Sequence, residues 1–244
     1  MDVVEAAPEV PVAGVTYLIH AALGDLRPRA ASFREALSAD EMHAVSRFRF
    51  ERDRERSTLA RGLLRATLGR MTGQRPELLA FEETAFGKPS LKEGPSFNVA
   101  HSGEHVLIAV RSDGRVGVDI EVRRDLPDVE ALARTVFTNE ELEELAGFAP
   151  AERHAAFFRG WARKEAFIKG VGKGLSIPLK QFAVSLAERV PAGDALRFAE
   201  VEGEETAQWR VVPLPELPDA AQAVAVEGDL LEIRAVPAVA FIGR

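Results

Sequence analysis

Asp119 and Glu121 stand two residues apart in Gly117-Val118-Asp119-Ile120-Glu121, and Glu165 and Lys169 stand four apart in Trp161-Ala162-Arg163-Lys164-Glu165-Ala166-Phe167-Ile168-Lys169. In the first segment Val116, Val118 and Ile120 alternate with Gly117, Asp119 and Glu121, which predicts a strand whose two carboxylates project from one face. On a covered sheet face, neighbouring carboxylates repel and lose hydration, so their pairing calls for a cation or a proton. An edge strand with one wet, acidic face would show the same pattern and do nothing. The second segment predicts a helix on which Trp161, Glu165 and Lys169, at i, i+4 and i+8, drift only slowly around one face. Taken alone, Glu165 and Lys169 also read as a surface ion pair worth roughly 0.3–0.5 kcal/mol. Phe157, Phe158, Trp161 and Ile168 weigh against that reading, because so aromatic a helix must be partly buried. Three carboxylates and a lysine so disposed suit one magnesium–pyrophosphate site.

The elements that must position these groups are legible in outline. Residues 16–19 read as a short strand, and 38–71 as largely helical, with Leu59, Leu63, Leu64 and Leu68 at helical spacing before a break at Gly73 to Pro76. Phe97-Asn98-Val99 and residues 105–110 read as strands, and Ser112-Asp113-Gly114 supplies a turn expected to fold the latter onto residues 116–120 as a hairpin. Thr138 with Glu141 resembles a capping box opening a helix over Leu142 and Leu145. Residues 152–169 form the long helix, ended by Gly170, Gly172 and Gly174, and 182–184, 208–212 and 222–226 read as strands. Helices and strands in mixed order indicate an α/β or α+β fold.

Composition narrows the chemistry. With 46% hydrophobic and 28% charged residues, the 244-residue chain reads as a soluble globular protein able to form one large domain or two small ones. It has no apolar run long enough to span a membrane, and Met1 to Pro11 lacks a basic or apolar targeting signal, so a cytoplasmic address is the default. Zero cysteines exclude disulfides, thiolate–zinc sites, iron–sulfur clusters and cysteine nucleophiles, leaving oxygen or imidazole to hold any metal. The net charge of −7 argues against a general nucleic-acid binder, although arginines cluster between Arg47 and Arg65. There acids interleave with bases, which fits a salt-bridged helix face as well as forked recognition of phosphate.

His101 lies where a strand gives way to a turn in Phe97-Asn98-Val99-Ala100-His101-Ser102-Gly103. It reads equally as a satisfied structural histidine or as a donor to a phosphate oxygen. Zinc binding with His105 is disfavoured for want of a third ligand, and no Gly-x-Ser-x-Gly elbow supports a serine hydrolase.

Gly87-Lys88-Pro89, Phe97 to Ser102, Gly117 to Glu121, and Trp161 to Lys169 with Gly172-Lys173-Gly174-Leu175 resemble, in order and spacing, the motifs of the surfactin-synthetase-type 4′-phosphopantetheinyl transferases. The resemblance covers residues 16–226 or so. It implies two similar α/β subdomains related by a pseudo-twofold, divided here as 1–113 and 114–244, acting as a monomer with the active site between them. It implies transfer of phosphopantetheine from coenzyme A, the co-substrate, to a serine of an acyl, peptidyl or aryl carrier protein, releasing 3′,5′-ADP. Magnesium, or manganese in its place, would be held by Asp119, Glu121 and Glu165. Glu165 would take the serine proton, and Lys169 would stabilise charge on the departing nucleotide. Arg56, Arg61, Lys88 and His101 would bind the cofactor with Lys169, the two arginines at the 3′-phosphate.

Two departures stand out. Ala100 replaces the serine that many members carry before the histidine, and Asp40, Glu41 and His43 occupy a segment where some carry basic residues. Carrier domains present acidic helices, so this acidic chain would dock through a local patch, with residues 171–179 and 128–137 as candidates. Two alternatives use the same residues: a magnesium-dependent hydrolase of the coenzyme A pyrophosphate, and a non-catalytic relative that binds coenzyme A or carrier.

Overall fold

Alternation in residues 15–22 and helical spacing in 59–68 meet in one core. The structure, a computed structural model, describes residues 2–3, 10–191 and 193–242. Most of the amino-terminal stretch on which the targeting argument rests lies outside the described residues. The chain divides into two compact units, the first made of Met1–Glu82, Pro89–Asp113 and Leu230–Arg244.

Among the described residues, the main sheet of this unit runs in the order Asp2–Val3, Glu232–Ala235, Val15–Ala22, His105–Arg111, Ser96–Ser102. Tyr17, Ile19, Val106 and Ile108 share a core with Leu59, Leu63, Leu64 and Leu68 of the helix Glu51–Thr72. Residues 38–71 are largely helical, in two helices, Ala39–Ser46 and Glu51–Thr72, with Phe50 extended before the second. Glu41 explains the fold-back: it completes a capping box with Ser38 and also accepts from the buried Arg65 of the second helix at 2.7 Å.

The turn at Ser112-Asp113-Gly114 does not make the expected hairpin. His105–Arg111 has Val15–Ala22 on one edge and Ser96–Ser102 on the other, so neither edge is left for residues 116–120. The hairpin lies earlier, across Gly103-Glu104, where Gly103 takes φ 54. The Asp113 carboxylate instead accepts the Gly14 N–H at 3.0 Å, and its carbonyl accepts from Arg111. Residues 230–242 also differ from a simple division at 113/114. Glu232–Ala235 runs parallel to Val15–Ala22, with Arg234 opposite Tyr17, and so belongs to the first unit.

The second unit comprises Glu83–Lys88 and Gly114–Asp229. Its antiparallel sheet runs Trp209–Pro213, Ala220–Glu227, Val116–Val122, and the 22-residue helix Pro150–Val171 packs across it. Asp119 lies opposite Ala223 and Glu121 opposite Ala221, so a row of small residues faces the helix. Phe157, Phe158, Phe167 and Trp209 fill the core around it, with Phe167 edge-on to Trp209. The helices Val129–Val136 and Asn139–Gly147 open on Asp128 and on the Thr138–Glu141 capping box. Glu141 does more than cap, because its buried carboxylate also accepts from Val184 N–H at 2.9 Å and pairs with Lys164 at 2.9 Å. No helix among the described residues is long and apolar enough to cross a membrane.

Candidate active site

The site begins with two glycines. A Cβ on Gly117 would lie 2.1 Å from the Ala166 carbonyl oxygen and 2.1 Å from the Gly170 nitrogen, so only glycine lets the strand approach the helix this closely. Gly170 is also covered by the Trp209 ring, 2.5 Å from where its Cβ would be. With the elements this close, alternate residues of the strand meet every fourth residue of the helix. The Lys169 ammonium donates to Asp119 Oδ1 at 2.6 Å, and Trp161 Nε1 donates to Glu121 Oε1 at 3.2 Å. Glu165, between them on the same helix face, is half-buried and interacts electrostatically with Lys169 and Glu121.

The electrostatics follow from burial. Asp119 is only 3% exposed, and its carboxyl is pushed up to about 7, mainly by loss of hydration, with Glu121 and Glu165 adding and Lys169 opposing. Burial likewise raises Glu165, with Lys169 opposing and Glu121 adding. Asp119 Oδ2 is buried with no hydrogen-bond partner. An orphaned carboxylate oxygen next to two more acids is a donor set that suits a hard, oxygen-seeking cation. Among the described residues, no group of three His, Asp or Glu side chains is gathered tightly enough to enclose a metal ion, and Asp119 is held by Lys169 instead.

Lys88 reaches the same strand and helix. Its ammonium donates to the carbonyls of Val116 and Gly170, both at 2.9 Å, and is held down to about 8, by burial first and then by the Arg115 guanidinium. Arg115 stacks on Trp209, pairs with Glu227 and Glu204, and donates to the Val171 carbonyl. Lys173 is tied to the same Glu204 at 3.2 Å. Nothing in the local pattern around Arg115 announces this network, since its partners lie more than fifty residues away.

The remaining cofactor-side residues belong to the first unit. Arg56 pairs with Asp53 at 2.8 Å, keeps a buried Nε without a partner, and lines a pocket of about 330 Å³ with Arg27, Arg52 and Gly103. Arg61 reaches Glu41 only at 3.5 Å, because Arg65 holds that carboxylate more closely. His101 is exposed on Ser96–Ser102, opposite Val106.

Residues 115–225 match the 4′-phosphopantetheinyl transferase superfamily, and residues 27–113 match the family described as 4′-phosphopantetheinyl transferase, N-terminal. The chain is 35% identical over 161 residues to the 4′-phosphopantetheinyl transferase HetI of Nostoc sp. strain PCC 7120, covering 64% of this chain and 68% of that one. It is 40% identical to the 4′-phosphopantetheinyl transferase psf-1 of Bacillus pumilus, covering 62% of this chain and 65% of that one. With the 4′-phosphopantetheinyl transferase Sfp of Bacillus subtilis it shares 32% identity, over 63% of this chain and 68% of that one. Asp119, Glu121, Glu165 and Lys169 all fall within the matched stretch 115–225, and the chain belongs to the 4′-phosphopantetheinyl transferase superfamily of enzymes.

Proposed function

We propose that this 4′-phosphopantetheinyl transferase moves the phosphopantetheine arm of coenzyme A onto a serine hydroxyl of an acyl, peptidyl or aryl carrier protein, releasing 3′,5′-ADP. The observation that carries the reading is the meeting of Lys169 with Asp119 at 2.6 Å beside Glu121 and Glu165. A cation among three acids is what a site for a pyrophosphate and its counter-ion needs.

Glu165 is the general base. Burial raises its affinity for a proton, which favours accepting one from the serine hydroxyl. Lys169 offers its charge to the departing nucleotide phosphate, which grows more negative as the bond to the phosphopantetheine phosphorus breaks. Trp161 steadies Glu121 by donating its indole N–H to Oε1. Magnesium, with manganese as substitute, would be held by Asp119, Glu121 and Glu165 and would supply charge neutralisation of the pyrophosphate. Asp119 Oδ2 is the support for that assignment.

Arg56, Arg61 and His101 are the proposed cofactor contacts in the first unit. Arg56 is favoured for the 3′-phosphate, because it borders a pocket with two further arginines, Arg27 and Arg52, while Arg61 faces Glu41. For the carrier, Lys173 is a weaker docking candidate than its sequence position suggests, being paired with Glu204, whereas Leu132 on Val129–Val136 is 41% exposed. The same reading makes the protein a cytoplasmic monomer. Incubation with apo-carrier, coenzyme A and magnesium, followed by intact-mass measurement of the carrier, tests the assignment. A phosphopantetheine-sized gain is expected; cofactor cleavage without it would mean a hydrolase, and neither would mean a binding protein.

A further inference from the structure

The charged end of Lys88 is spent on two main-chain carbonyls that belong to the two working elements of the site. Val116 opens the strand that carries Asp119 and Glu121, and Gly170 follows Lys169 on the helix. Gly170 is in the last turn of that helix, where carbonyls have no partner four residues on and the dipole favours a cation. The Gly172 N–H satisfies Ile168, Arg115 satisfies Val171, and Lys88 satisfies Gly170.

The lysine is itself held firmly. Its carbonyl accepts from Thr84 N–H at 2.9 Å and its N–H donates to Thr84 Oγ1 at 3.0 Å, closing the turn in which Gly87 takes φ 80. Its stem crosses Gly172, where a Cβ would lie 3.0 Å from Lys88 Cδ. Glycine at 172 thus serves the left-handed cap at φ 80 and the passage of the lysine together.

We infer that Lys88 is a positioning residue that pins Val116 to Gly170 and so holds Asp119 and Lys169 in register, rather than a ligand of coenzyme A phosphate. Two of its three ammonium protons are committed inside the fold. The inference rests on the transferase reading for its kinetic consequences and on geometry alone for its structural ones.

The chain has no cysteine, so Lys88→Cys can be alkylated at that position alone with 2-bromoethylamine, the thiolate displacing bromide to leave a lysine isostere. Unmodified Lys88→Cys should lose kcat about tenfold or more while KM for coenzyme A moves less than about twofold, and aminoethylation should restore most of the rate. Alkylation with iodoacetamide, which adds bulk without charge, should not restore it. Amide hydrogen exchange over residues 116–122 and 165–172 should speed up in the unmodified variant and slow again on aminoethylation. A KM rise of about tenfold with kcat unchanged would make Lys88 a cofactor ligand and overturn the inference. Unchanged exchange would overturn it too. If the parent enzyme transfers nothing, the functional reading fails by itself, and the exchange measurement still decides whether Lys88 pins the two elements.

Discussion

Gly117 and Gly170 meet backbone to backbone, with 2.1 Å separating the Gly170 nitrogen from where a Gly117 Cβ would stand. That contact sets the spacing between strand and helix, and with it the reach of Lys169 to Asp119. Gly117→Ala must push the elements apart, because the atoms in the way are main chain and cannot rotate aside. The variant should lose about 1–3 kcal/mol in urea unfolding, and its transfer rate should fall by more than its folded fraction explains. An unchanged midpoint with an unchanged rate would show that the spacing is set elsewhere.

Glu165→Gln keeps the size of the side chain and removes its basicity. It should lower kcat by roughly 10²–10⁴ and flatten the acid limb of the pH–rate profile, with KM for coenzyme A little changed. Full rate in this variant would move the base to another group. Trp161→Phe should be milder, since Glu121 loses one hydrogen bond while the helix keeps its aromatic packing.

What could be read from the sequence is what depends on local period. Residues two apart share a strand face and residues four apart share a helix face, so Asp119 with Glu121, and Trp161 with Glu165 and Lys169, were visible before any fold. The capping box at Thr138 is equally local. Pairing between distant segments was not visible. Ser112-Asp113-Gly114 has the composition of a hairpin turn, yet the partner of Val116–Val122 is Ala220–Glu227, a century of residues later. The strand Glu232–Ala235 and the carbonyls that receive Lys88 belong to the same class of information, because side-chain pattern says which face is apolar and not which neighbour covers it.

Asp119 makes stability depend on pH in an unusual direction. Its folded pKa, about 7, lies above that of an unfolded aspartate, so between the two values the native state binds more protons than the unfolded chain. Stability from this group is therefore present at low pH and is lost as pH rises through that window. Asp119→Asn removes the penalty. In chelator-containing buffer the variant should be more stable than the parent at about pH 8, the gap closing toward about pH 4, while its transfer activity is abolished. A parent whose urea midpoint rises relative to the variant as pH is raised from about 4 to about 8 would contradict the sign.

Lys164 and Glu141 make a buried pair in which each partner is fully engaged: Lys164 also donates to the carbonyls of Leu179 and Phe182 at 2.7 Å, and lies over the Phe182 ring. Burial lowers the lysine pKa and Glu141 opposes the shift. Lys164→Met leaves an uncompensated carboxylate in the core and should cost about 3–5 kcal/mol in chemical denaturation. Adding Glu141→Gln discharges that carboxylate but weakens the bonds to Thr138 and Val184, so the double variant should lose less than the sum of the singles without returning to the parent. Strict additivity would mean the two charges do not sense each other. Because Lys164 points into the core while Glu165, its neighbour, lines the site, the rate should fall in proportion to the folded fraction, and a rate loss beyond that would give the pair a part in aligning Glu165.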